Sequence, residues 1–221
     1  MTERVRAHIP EPTVLRLSIY QRILHGAASR GEETISSAQL AEAGSVNAAK
    51  VRRDLSHLGT FGMPGTGYDV AFLLERVDRA LGLDRVWPVV IVGVGHLGRA
   101  LARSPGFTTG GFRVVGLLDT DPSILGTTIE GVVIRHLSEL REVAREHSPS
   151  IGVVTTPAGA AQHVAESLVE VGVCSILNFA PAVLNLPDRV LVRTVDLSVE
   201  LQVLTFYQAR LAGAAGLDNA L

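Results

Sequence analysis

The rhythm of apolar residues along the chain changes near residue 85. Before it they recur at helical spacing; from Val89 onward they come as short unbroken runs alternating with helical stretches. In the first part, Pro10-Glu11-Pro12 ends an extended arm. Thr13 is placed to accept from the free amides of a helix running to about Ala28, with Val14, Leu17, Tyr20 and Leu24 as its inward face. Ser36 and Gln39 stand at capping-box spacing before a short helix over 38–43, which Gly44 ends. Asn47 then caps a helix over 48–58 whose Val51, Leu55 and Leu58 repeat at i, i+4 and i+7. The glycines between Gly59 and Tyr68 permit a tight hairpin, and Phe72, Leu73, Leu74, Val77 and Leu81 predict a closing helix over 70–81.

The second part predicts strands over 89–92, 112–118, 132–134, 151–155, 173–178 and 190–195, with helices between them, among them one over 158–171. Runs that are apolar on both faces and alternate with helices predict an α/β fold with a doubly wound parallel sheet. From Leu197 to Leu211 apolar residues go nearly all the way round a helix, so more than its own sheet must cover it, and a partner subunit is implied; the residues from Ala212 read as a fraying tail. Leu81-Gly82-Leu83-Asp84-Arg85 reads as a helix stop and link, so three segments are expected: 1–82, 86–196 and 197–221.

Composition narrows the class. With 47% hydrophobic and 19% charged residues the chain has a globular balance, and no apolar run reaches membrane-spanning length. The lone Cys174 excludes an internal disulfide and cysteine-cluster metal sites; it reads as a small buried hydrophobe in a strand, and a cytoplasmic home is expected. The formal net charge of −2 points to no nucleic acid by itself. Locally, Lys50, Arg52 and Arg53 face one acid, Asp54. At 100° per residue the side of the helix opposite Val51 and Leu55 carries Ala49, Arg52, Arg53, Ser56 and His57. Small and basic residues there suit a major groove: close approach, phosphate neutralisation and guanidinium forks for guanine edges. Two arginines alone also read as a solvated face; the short helix, tight turn, basic helix and glycine hairpin together favour double-stranded DNA.

In the second part Gly93-Val94-Gly95-His96-Leu97-Gly98 follows a buried strand and opens a helix. Gly93 permits the turn, Gly95 the approach of a pyrophosphate, and Gly98 close helix–strand packing. Asp119, ending the next strand, suits the hydroxyls of an adenosine ribose and repels a 2′-phosphate, which favours NAD over NADP. Thr155-Thr156-Pro157 offers a capping Thr and an N1 proline at a further helix start, and Asn178-Phe179-Ala180 offers an amide and an aromatic face to a nicotinamide, or is an ordinary strand-end turn. None of the seven histidines has an evident carboxylate to orient it, so no catalytic group is expected. A small NAD-dependent oxidoreductase and a CoA-binding module of the succinyl-CoA synthetase type remain alternatives.

The motifs Val51-Arg52-Arg53-Asp54-Leu55-Ser56, Gly62…Gly65…Gly67-Tyr68, Gly93-Val94-Gly95-His96-Leu97-Gly98, Ile176-Leu177-Asn178-Phe179-Ala180-Pro181 and Val195-Asp196-Leu197-Ser198, in order from about Pro10 to Tyr207, resemble the redox-sensing repressor Rex family. The resemblance implies an N-terminal winged helix, with Gly65 and Tyr68 in the wing, and a Rossmann-like domain. It implies a homodimer exchanging its terminal helix, competitive binding of NADH and NAD+, a palindromic operator released when NADH accumulates, and a switch pairing Arg22 with Asp196. Met63-Pro64 stands where the family commonly has a wing arginine, and Ser104 where it has a switch tyrosine, so a reduced switch is expected.

Overall fold

The computed structural model describes residues 9–59, 67–107 and 110–218, and the chain divides into two compact units, Met1–Arg85 and Val86–Leu221. In the first unit α1 (Glu11–Ser29), α2 (Ser37–Ala43), α3 (Ala48–Ser56) and α4 (Val70–Leu81) enclose a core of Leu17, Tyr20, Leu24, Leu40, Val51, Leu55, Leu73 and Val77. The predicted capping box of α2 is present, Asn47 Oδ1 accepts from Lys50 N at the start of α3, and Gly82 ends α4 in the left-handed conformation. Two expectations for α1 fail. Pro10 takes the N-cap position without a side-chain cap, and Thr13 lies buried inside the helix; Val14, 37% exposed, is not part of the inward face.

Residues 60–66, which hold most of the expected glycine hairpin, lie outside the described residues. β2 (Tyr68–Asp69) pairs antiparallel with β1 (Thr34–Ile35), the strand before α2. Gly67, at φ +89°, lies so close to β1 that a Cβ would stand 2.7 Å from the Ile35 carbonyl oxygen. Gly65 and Met63-Pro64 fall outside the described residues.

In the second unit the strands are β3 (Trp87–Val92), β4 (Phe112–Asp119), β5 (Thr128–Ile129), β6 (Val132–His136), β7 (Ile151–Val154), β8 (Ser175–Asn178) and β9 (Leu191–Thr194), ordered β5-β6-β4-β3-β7-β8-β9. All pair in parallel except β5, which turns back on β6 through Glu130 and Gly131, both at positive φ, and gives the sheet an antiparallel edge that apolar runs did not signal. Helices cover both faces. Val90, Val92, Leu118 and Val154 pack with residues of α6 (Leu140–His147) and α7 (Ala158–Glu170), while Val89, Ile91, Leu117 and Val153 share a second core with Ala102 of α5 (His96–Ala102). Burial on both sides explains the continuous apolar strands. Cys174 precedes β8 and is exposed, not a strand hydrophobe. α8 (Leu197–Asp218) continues past the point where a fraying tail was expected.

Candidate functional site

The strand order reverses at β3, with β4 and β6 on one side and β7, β8 and β9 on the other. The carboxyl ends of β3 and β7 therefore flank the crevice where α/β sheets take ligands. One hydrogen bond per step ties the strand ends together: Gly93 N–H donates to Leu118 O, Thr155 to Val92 O, Phe179 to Val154 O and Val195 to Asn178 O. The glycine turn fits this crowded edge. Gly93 has φ +96° and would place a Cβ 2.8 Å from the Thr155 carbonyl; a Cβ on Gly98 would meet the Gly93 carbonyl oxygen at 2.0 Å. Nothing stands within 4 Å of a Cβ on Gly95, so that position opens onto free space. His96 and Leu97 are exposed beside it, and Val94 is buried.

Asp119 is brought against this turn. Its carboxylate accepts from Val94 N at 2.5 Å, Thr120 N at 2.7 Å and Asp121 N at 2.9 Å. Of about four lone-pair sites on a carboxylate, three are thus occupied by the backbone, so Asp119 fixes the loop and keeps about one acceptor site open. Neither threonine caps α7, and Pro157 takes the N-cap position rather than N1. The Thr155 hydroxyl lies 2.6 Å from the Gly93 carbonyl oxygen and staples β7 to the glycine turn. Thr156 Oγ1 is buried with no hydrogen-bond partner among the described residues. A buried hydroxyl left unpaired costs about 1–3 kcal/mol, and a polar ligand at the strand ends would recover it.

Asn178 corrects a sequence expectation. It is fully buried; its Nδ2 donates to Ala180 O and Ala182 O, and its Oδ1 accepts from Ala180 N. Both amide hydrogens are thus committed within the turn that carries the half-buried Phe179 and the buried Ala180, and only one lone pair of the buried Oδ1 is left. A cleft of about 260 Å³ between Val86, Phe112, Val114 and Val132 lies at the opposite, amino-terminal end of the strands, away from these residues. Among the described residues no cluster of His, Cys, Asp and Glu suits a metal, and no helix is long and apolar enough to cross a membrane.

In the first unit α2 and α3 form a helix–turn–helix pair. Ala49, Arg52, Arg53 and Ser56 are exposed on α3, Lys50 and His57 are half-buried, and Arg52 donates to Ser37 Oγ at 3.1 Å. Asn47 is exposed and uses its Oδ1 as the cap of α3, and the half-buried Tyr68 packs against the core. Arg22 is exposed on α1 of this unit. Asp196 and Ser104 belong to the other unit: Asp196 Oδ1 accepts from Ser198 N and Oγ at the start of α8, and these bonds hold its carboxyl below the usual range; Ser104 ends the turn after α5.

Sequence reasoning missed a buried polar cluster beneath α3. Asp54, 1% exposed, accepts from Arg16 Nε at 2.6 Å, Arg16 Nη2 at 2.7 Å, Tyr20 Oη at 3.0 Å and Thr13 Oγ1 at 3.2 Å. Its donors share one face of α1, 34 to 41 residues away in sequence. Their spacing at i, i+3 and i+7 was the available signal, but nothing local pairs that face with Asp54.

Burial pushes the Asp54 carboxyl up, but bonds from Arg16 and Tyr20 and the Arg16 charge outweigh it, so the net direction is down. Burial, then the bond to Asp54, pushes the Tyr20 phenol up to about 12. A lowered Asp54 contributes stability that is fully present above the unfolded carboxyl value of about 3.9 and is lost as pH falls through the lower, folded value. A raised Tyr20 contributes stability present below about 10 and lost as pH climbs from there towards its folded value. Urea unfolding across pH should show both losses, and Asp54→Asn should flatten the acid limb; an unchanged limb would place acid sensitivity elsewhere.

A helix–turn–helix unit with a basic outer helix, followed in one chain by a dinucleotide-type α/β unit, defines a ligand-responsive DNA-binding regulator. Residues 8–56 match the family described as putative DNA-binding protein N-terminus, and residues 84–182 match the CoA binding domain family. The redox-sensing transcriptional repressor Rex of Streptomyces coelicolor is 52% identical over 96% of this chain and 83% of its own length, and that of Carboxydothermus hydrogenoformans is 47% identical over 90% and 95%. RSP, a Rex-family repressor solved with β-NAD+ and operator DNA, superposes with a TM-score of 0.87 at 31% identity, covering 96% of this chain and 98% of that one; its β-NADH complex gives 0.84 at 30%. The chain belongs to the Rex family of redox-sensing transcriptional repressors.

Proposed function

We propose that this protein is a DNA-binding repressor that senses the NADH/NAD+ ratio and leaves its operator when NADH binds, acting as a homodimer and without turnover. The observation that carries the reading is the coexistence in one chain of the exposed Arg52–Arg53 face on α3 and the Gly93–Gly98 turn with Asp119 at the sheet's switch point. Gly93, Gly95 and the start of α5 would hold a pyrophosphate, Asp119 the adenosine ribose, and Thr155, Thr156 and the Phe179 ring the nicotinamide half. Open space at Gly95 and the unpaired Thr156 hydroxyl fit such a ligand.

Every residue from Leu197 to Arg210 of α8 is exposed. This supports a partner subunit over α8, in line with an exchanged terminal helix. Two recognition helices then meet successive major grooves only at about 34–36 Å, or a multiple of it. A subunit arrangement preferred with NADH but not matching that spacing shifts the population away from DNA, with Arg22 and Asp196 as the pair that reports it.

Operator titrations with NADH, with NAD+ and with neither test the reading. NADH should weaken binding by about 5–150-fold, the usual span of allosteric coupling, and operator DNA should weaken NADH binding by the same factor. Equal operator affinities in all three would overturn it.

A further inference from the structure

We propose that the Arg16–Tyr20–Thr13 clamp on Asp54 sets the roll of α3 about its own axis, making these four side chains positioning residues for sequence-specific reading of DNA; the proposal rests on the DNA-binding reading above.

α3 spans only Ala48–Ser56, and its buried side chains are Val51, Asp54 and Leu55. Two apolar side chains on so short a helix fix its depth, but dispersion and burial are non-directional and tolerate rotation. The fork of Arg16 is directional: both carboxylate oxygens of Asp54 are engaged, at 2.6 and 2.7 Å, with Tyr20 and Thr13 completing the set from the same helix. Asp54 directly follows Arg53 and lies two residues after Arg52, so the inward anchor and the outward readers belong to one helical turn. On a helix of about 5–6 Å outer radius, a roll of about 20° moves a side-chain tip by about 2 Å, which breaks a bidentate bond to a base edge.

Stability alone does not explain the cluster. A buried ion pair is commonly no more stabilising than apolar residues of similar volume, because desolvation offsets the attraction. Here it interrupts an otherwise apolar core of leucines and valines at the element that presents the arginines.

The test uses the full chain and two variants. Arg16→Met with Asp54→Leu removes opposite charges together and supplies apolar volume, so net charge is kept. Tyr20→Phe removes one hydrogen bond while keeping the ring. Operator affinity, affinity for a random duplex of equal length and thermal midpoint are measured for each and for the parent.

The double variant leaves the buried Tyr20 and Thr13 hydroxyls without their acceptor, so its thermal midpoint should fall, but its random-duplex affinity should stay within about twofold, since that affinity follows phosphate contacts. Its operator-to-random ratio should fall at least about tenfold, the value of one bidentate base contact. Tyr20→Phe should lower the ratio about threefold, a part of that same contact's value, and it decides the matter if the double variant does not fold. Either folded variant retaining the parent's ratio would overturn the proposal. A parent protein with no preference for any operator would instead overturn the DNA-binding reading itself, and this proposal with it.

Discussion

Placing glutamate at Leu201, Leu204 and Phe206 together is expected to leave a folded monomer and to weaken operator binding by about 10²–10⁴-fold, the contribution of a second linked half-site. These side chains are 63%, 64% and 58% exposed, and Leu197, Val199, Val203 and Tyr207 add to an apolar surface on several sides of α8. Covering a leucine of this kind contributes about 1.5–3 kcal/mol, and symmetry doubles each contribution in a dimer. A charge on each of three such positions must be desolvated on association, so the penalty falls on the dimer and not on either unit's core. Sedimentation measures the first effect and fluorescence anisotropy with a labelled operator the second. A variant that stays dimeric with unchanged affinity would move the interface off α8.

Gly98→Ala should abolish the response to NADH while leaving operator binding in place. Its Cβ would overlap the Gly93 carbonyl oxygen and press on Thr155 Oγ1, so α5 must move away from the turn and unseat the strand-end contacts. α3 lies in the other compact unit, with its own core, so it is spared. Gly95→Ala is the informative companion. Its Cβ meets nothing, so the thermal midpoint should stay within about 1–2 °C of the parent, as expected of a change costing a few tenths of a kcal/mol. NADH affinity should still fall at least about tenfold, because the methyl enters the space where a pyrophosphate must approach the backbone. Titrating NADH by its fluorescence separates the cases; unchanged affinity in Gly95→Ala would remove the pyrophosphate from that position.

Much of this was legible in the chain because it is local. Ser36 with Gln39, Asn47 before α3, the bounds of α4 and the run Val89–Val92 entering Gly93 are signals within a few residues, read by the same backbone physics that forms them. Asp119 was also legible, since a fixed βαβ unit converts a spacing in sequence into a place at a strand end.

What only tertiary structure decided is which groups are already satisfied. Sequence offered Asn178 as a ligand contact or a turn residue, one threonine of Thr155-Thr156 as a cap, Thr13 as a helix start and Asp54 as a lone acid among cations. Folding commits Asn178 to Ala180 and Ala182, Thr155 to Gly93, and Thr13, Arg16 and Tyr20 to Asp54. Among the described residues the same packing leaves Thr156 Oγ1 unpaired and the stretch Leu197 to Arg210 of α8 exposed. The reason is physical: periodicity and capping depend on neighbours in the chain, whereas burial and hydrogen-bond satisfaction depend on partners tens of residues away, brought close only by the collapse of the core. The sequence alone thus determined the two kinds of unit and where their glycines and arginines stand; the fold decided which side chains build those sites and which remain free to act.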